Sequence, residues 1–226
     1  MKALKFMKID YIKTKQQVMF IPVFLLLIAA IMIAPDSDVP NYSAVVPFCY
    51  MIFMMTIFSA TPFGSCRKEE TGFLQLLPAT TWDRVAGRFL YGVSLMSIAI
   101  VFGIAAVEIY RILGFEMNAM DIPLCMIVLA VGILIMTAEY IFFYLFGENT
   151  SQNLLGIVRT VPGMCFFFVT ANLSKEIKKD SEKMFQIMQV VGEHLKTIGW
   201  VSIAVAVAAL IAASVFCAKV TDKKDC

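Results

Sequence analysis

Cys66-Arg67-Lys68-Glu69-Glu70-Thr71-Gly72-Phe73-Leu74-Gln75-Leu76-Leu77-Pro78-Ala79-Thr80-Thr81-Trp82-Asp83-Arg84 is a polar stretch between two long apolar runs. Four charges arrive together at Arg67 to Glu70, directly after Pro62 and Gly64 weaken the preceding helix. A chain that breaks its helix and exposes charge at that point has left lipid for water. Phe73, Leu74, Leu76 and Leu77 follow at spacings that give a short helix one apolar face, and Leu77-Pro78 closes it because the residue before proline avoids the helical region. The expected form is a short helix lying on a surface. Thr80 or Thr81 can cap the next helix, with Trp82 at headgroup depth and Asp83 near the positive end of the helix dipole.

Composition agrees with a chain that lives mostly in lipid. The 226 residues are 60% hydrophobic and 16% charged, with a mean hydropathy of +0.80, which departs from a soluble domain in both directions. A formal net charge of +2 gives no basic excess for nucleic acid. Six cysteines occur without a Cys-x-x-Cys pair, so free thiols acting as small apolar residues are expected in place of a disulfide framework.

Apolar runs predict an all-α integral membrane fold, one transmembrane domain over residues 1–226 with six spans at 17–34, 43–64, 85–113, 122–146, 154–171 and 197–218. Ahead of them, residues 1–16 set Leu4, Met7, Ile9 and Ile12 against Lys2, Lys5, Lys8, Lys13 and Lys15, the pattern of an interfacial helix. The fifth run holds Arg159, Pro162 and Gly163 and is expected to be kinked or broken. Residues 172–196 form an outer segment in which Met184, Ile187, Met188, Val191 and Leu195 share one helical face, expected as a surface helix distinct from the last span. In that last span Ala204, Ala208 and Ala212 are spaced four apart, as for close helix approach.

Lysine and arginine set the orientation. Twelve fall in residues 1–16, in 66–88 and after 218, against six on the opposite side, so the positive-inside rule places both termini in the cytoplasm and the 172–196 segment outside. The loop 65–84 is then cytoplasmic. So is the short polar stretch Gly147-Glu148-Asn149-Thr150-Ser151-Gln152-Asn153, suited to a second contact on the same side.

Catalytic chemistry has few candidates here. No Gly-x-x-x-x-Gly-Lys-Ser/Thr phosphate loop and no Gly-x-Ser-x-Gly elbow occurs, and the one histidine, His194, lies in the outer segment and reads as a solvated residue, not a metal ligand. The informative polar residues are Glu139 and Arg159. They fall at similar depth on consecutive antiparallel spans, where an isolated charge costs about 2.5–3.5 kcal/mol even on the lenient insertion scale. They can form a fixed pair that holds the fourth and fifth spans, or line a water-accessible cavity. Both readings stay open.

Glu69-Glu70-x-Gly72, Leu76-Leu77-Pro78-Ala79-Thr80 and Val85-Ala86-Gly87-Arg88-Phe89-Leu90 together resemble the loop between the second and third helices of type 2 ABC transporter permeases. The likeness extends to length, helix count and charged start, and is nearest to the small six-helix bacterial permeases that export phenol-soluble modulins. That resemblance implies a homodimeric permease subunit in the cell membrane, working with a separate cytoplasmic ABC ATPase that carries ATP and magnesium. It also implies a coupling helix in the loop, with Phe73, Leu74 and Leu77 as apolar anchors on the ATPase and Glu69 and Glu70 as rim charges. The implied cargo is amphipathic or antimicrobial-type peptide, moved outward. This chain itself would hold no cofactor. A reading from another class is a membrane scaffold or assembly protein whose loop binds a soluble partner without coupling to ATP.

Overall fold

A computed structural model of the chain describes residues 2–15, 45–64, 79–112, 121–147 and 181–225. All regular structure among the described residues is helical: α1 (Lys2–Lys13), α2 (Val45–Ser59), α3 (Thr61–Gly64), α4 (Thr81–Ile112), α5 (Asp121–Gly147) and α6 (Ser181–Asp225). The stretches expected to span at 17–34 and 154–171 lie outside them, as do residues 65–78 of the polar loop. Three helical stretches among the described residues are long and apolar enough to cross a membrane: Thr81–Ile109, Asp121–Gly147 and His194–Lys223. They coincide with the expected third, fourth and sixth spans. The second is found as the shorter apolar stretch Phe48–Phe63.

Local sequence explains the ends. Pro62 brings no N–H to the helix ladder, and the chain turns at Ala60, where the amides of Ala60 and Phe63 bond three residues back to Ile57 and Ala60. That break separates α2 from the single turn α3, which delivers the chain to the polar loop. The return is a capping box. Thr80 Oγ1 accepts from the Asp83 amide at 3.2 Å, while the Asp83 carboxylate accepts from the Thr80 amide and hydroxyl at 3.3 and 2.8 Å. Of the two threonines able to cap α4, Thr80 does so.

α4 is the central helix and meets α1, α2, α5 and α6. Small residues make the approaches possible. A Cβ at Gly103 would strike the Phe48 ring of α2, and one at Gly92 would stand 2.6 Å from the Tyr140 hydroxyl and 2.7 Å from Met136 Sδ of α5. Met51, Ile52 and Met55 of α2, Leu95 and Ala99 of α4, and Met136 of α5 fill the core between them. The opposite sides of α4 and α6 stay apolar and exposed, with Val101, Ile104 and Ile112 on one and Val201, Val205 and Ile211 on the other, as lipid-facing surfaces require.

One expectation for the C-terminal part is corrected. Residues 181–196 do not form a surface helix set apart from the last span. They run into it as one helix of 45 residues, about 68 Å long, because no proline interrupts 181–225 and isolated glycines do not stop a helix. Ala204, Ala208 and Ala212 are exposed on the outer side of this helix. The inward side of α6 carries Gly199, Ala206, Ala213 and Cys217 at steps of seven, seven and four residues, with Gly199 seated against Met126 and the Pro123 carbonyl of α5. An inward face at residue 206 turns 204 and 208 away, since two residues correspond to about 200° around a helix.

Candidate functional site

The helices meet where the polar loop begins and ends, and Asp10, Thr14, Thr56, Ser59 and Glu139 are buried toward that end of the bundle, with Asp121 buried at the other. α1 lies against the first turns of α4. Its inward stripe is Phe6, Asp10 and Thr14, each four residues after the last, all buried. Gly87 is the seat: a Cβ there would lie 2.5 Å from Phe6 Cβ and 2.7 Å from the Ala3 carbonyl oxygen. Leu4 and Ile12, expected on the side of an interfacial helix that enters the acyl boundary, are 54% and 64% exposed and point away from the bundle. The face chosen for burial is the one that offers hydrogen bonds to α4.

Counting hydroxyl protons fixes the direction of those bonds. Thr14 donates its proton to the Asp10 carbonyl at 2.9 Å, so the Tyr91 hydroxyl donates to Thr14 Oγ1 at 2.8 Å. Ser94 donates to the Tyr91 carbonyl at 2.6 Å, so Tyr11 donates to Ser94 Oγ at 2.8 Å. The Tyr11 and Tyr91 rings meet edge to face, 5.0 Å between centroids. Both links join α1 to α4.

Arg88, one residue beyond Gly87, ties this pair to the loop stem. Its Nε is 4.0 Å from Asp10 Oδ2, and its guanidinium carbon lies 4.4 Å from the centroid of Phe63, the third residue of α3. Phe63 in turn stacks on Phe143 of α5 at 4.4 Å and meets Tyr140 and Tyr144 edge-on at 5.0 and 5.5 Å. Tyr140, with no exposed surface, donates its hydroxyl proton to the Ser59 carbonyl at the end of α2, 2.9 Å away, and packs edge-on against Phe89. The stem of the 65–84 loop and the C-terminal end of α5, which leads into the polar stretch 147–153, are thus in contact. Asp10 is 3% exposed, and burial pushes its carboxyl above the ordinary value despite the opposing attraction of Arg88 and Lys13.

Of the residues singled out from sequence, Glu139 is described: it is fully buried on α5, beside Tyr140 and on the stripe of Gly132, Met136 and Phe143. Gly132 on that stripe faces Ile52 and Thr56 of α2. Glu69, Glu70, Phe73, Leu74, Leu77 and Arg159 lie outside the described residues. The sequence reading missed Asp10, Tyr91 and Tyr140, and held Gly87 and Arg88 only within the run that carries the resemblance. One signal was present for Asp10, the single acid of a helix with four lysines, in a four-residue stripe with Phe6 and Thr14.

A short amphipathic helix packed on the bundle, a broken second apolar helix and three helices long and apolar enough to cross a bilayer define a membrane protein. The family described as ABC-2 family transporter protein matches residues 6–220. The chain belongs to that family, whose members are the membrane permeases of ABC transporters and act with a partner ATPase. No curated protein and no solved structure matches it. The match starts inside α1, so the docked helix is part of the family domain. Membership favours transport over the scaffold reading.

Proposed function

We propose that the chain is the permease subunit of an ATP-driven exporter, two copies of which work with two copies of a cytoplasmic ATPase in the cell membrane. Six spans, cytoplasmic termini and outward movement of amphipathic or antimicrobial-type peptides complete the reading. In it, residues 65–84 dock on the ATPase through Phe73, Leu74 and Leu77, with Glu69 and Glu70 at the rim. ATP and magnesium stay on the partner. Glu139 and Arg159 face each other between the fourth and fifth spans.

The junction at the loop stem is the observation that carries this reading. Force delivered to a loop moves a bundle only if the stem is stiffly joined to the helices behind it. Phe63 is held on one side by Arg88 and on the other by three aromatic rings of α5. Buried anchors account for most binding energy at such contacts, about 2 kcal/mol or more each, whereas rim charges mainly affect encounter. Phe73→Ala is therefore expected to weaken ATPase binding and uncouple ATP hydrolysis from export while the membrane part stays folded. Retention of full complex formation and full export by this variant would refute the coupling assignment.

A further inference from the structure

We propose that the outward face of α1 is a docking surface for anionic phospholipid headgroups. It rests on the membrane placement of α4 and is independent of cargo.

Three observations meet on this face. Lys2, Lys5, Lys8 and Lys15 are exposed, and the one acid of the helix, Asp10, is turned inward and buried. Asp83 lies close enough to attract Lys2, and among the described residues no ion pair is found for Lys5, Lys8 or Lys15. Leu4 and Ile12 are exposed between those lysines, and Trp82, at the first turn of the spanning helix that seats α1, is 48% exposed. Water is a poor match for Leu4 and Ile12. An acidic protein surface would satisfy the lysines but leaves those two side chains without acyl chains to enter. A bilayer interface takes both, with apolar side chains at the acyl boundary and lysine stems reaching up to phosphate.

Charge decides which lipid. A zwitterionic headgroup offers the lysines no net attraction, whereas an anionic one attracts each by roughly fivefold, so three lysines set a ceiling on the order of a hundred-fold in preference. The inward face is fixed to α4 through Gly87, Thr14 and Tyr11, so the lysines are presented in a fixed arrangement.

The test places a reporter on the face itself. Full-length chain carrying Trp82→Phe, Trp200→Phe and Ile12→Trp has one tryptophan on α1, since the sequence contains two. It is reconstituted in phosphatidylcholine vesicles containing equal fractions of either brominated phosphatidylcholine or brominated phosphatidylglycerol, and the quenching ratio gives the relative association constants. A several-fold or larger preference for phosphatidylglycerol, falling toward one in Lys5→Gln/Lys8→Gln/Lys15→Gln and in high salt, is expected. A ratio of one, or a preference unchanged in the triple variant, overturns the proposal. So does an absence of quenching by either lipid, or its loss when the ATPase binds, because protein or water would then cover the face. Leu4→Trp in the same background provides a second reporter if Ile12→Trp does not fold.

Discussion

Replacing Gly87 by alanine asks whether α1 is locked to α4 or merely rests beside it. The added methyl would stand 2.5 Å from Phe6 Cβ and 2.7 Å from the Ala3 carbonyl oxygen. Neither atom is the end of a flexible side chain, so α1 must shift as a body. Alanine gains about 0.8–1 kcal/mol in helix propensity. Against that, forcing a methyl into a filled contact costs about 1–3 kcal/mol. If α1 lifts, the Thr14–Tyr91 and Tyr11–Ser94 bonds are lost as well, at about 0.5–1.5 kcal/mol each. The balance is a loss centred near 3 kcal/mol, with the damage confined to one helix.

Two measurements on the full chain in one detergent check this. Thermal unfolding should begin at a lower temperature, and amide hydrogen exchange should accelerate over Lys2–Lys13 while α4 and α5 keep their protection. A Gly87→Ala protein that unfolds at the wild-type temperature, with exchange in α1 unchanged, would refute the reasoning, because the contact would then be soft enough to absorb a methyl.

Three further outcomes are expected. Burial holds the Asp10 carboxyl above its ordinary 3.8, so its contribution to stability is complete below that pH and is lost as pH rises through the folded-state value. Thermal melts of Asp10→Asn and wild type should therefore diverge in favour of the variant as pH rises; a gap that stays constant with pH would count against this. Gly192→Pro should destabilise the chain by about 3 kcal/mol or more, since an unbroken helix passes through that position, and wild-type stability would mean that the helix is interrupted there. Glu139→Gln and Arg159→Met should each cost about 3–5 kcal/mol if the two charges pair, and Glu139→Leu/Arg159→Met should recover stability. Recovery of export as well would mark the pair as structural, loss of export alone would place it on the cargo path, and unaffected single variants would disprove the pairing.

The long apolar helices were legible because their signal is local. Twenty or more apolar residues in succession have few alternatives to spanning a bilayer, and Thr80-Thr81-Trp82-Asp83 announced a helix start through chemistry contained in four residues. The junction was not legible for the opposite reason. Thr14 and Tyr91 are 77 positions apart, and Tyr140 and Ser59 are 81 apart. Nothing in the spacing of either pair says they touch. Periodicity also did not say which face of α1 meets protein, because it ranks faces by apolarity, and Leu4 and Ile12 outrank Asp10 and Thr14 on any such scale. The outer segment was separated from the last span on composition, although composition changes the solvent a helix prefers without interrupting its backbone.

That silence follows from the medium. Between helices already in lipid, burying leucine against leucine gains little over leucine against acyl chain, so register is set by close contact at small residues and by hydrogen bonds. In this chain the two devices coincide at the loop end: Gly87 and Gly92 admit α1 and α5 to α4, and Tyr11, Thr14, Tyr91 and Tyr140 make the cross-helix bonds, whereas Gly103, Gly132 and Gly199 continue the close approaches farther along. Farther from the loop, the contacts of α4 and α6 are apolar on both sides and carry no such directional bond among the described residues. A displacement of Phe63 must therefore be felt by Arg88 and α1 on one side and by α5 on the other.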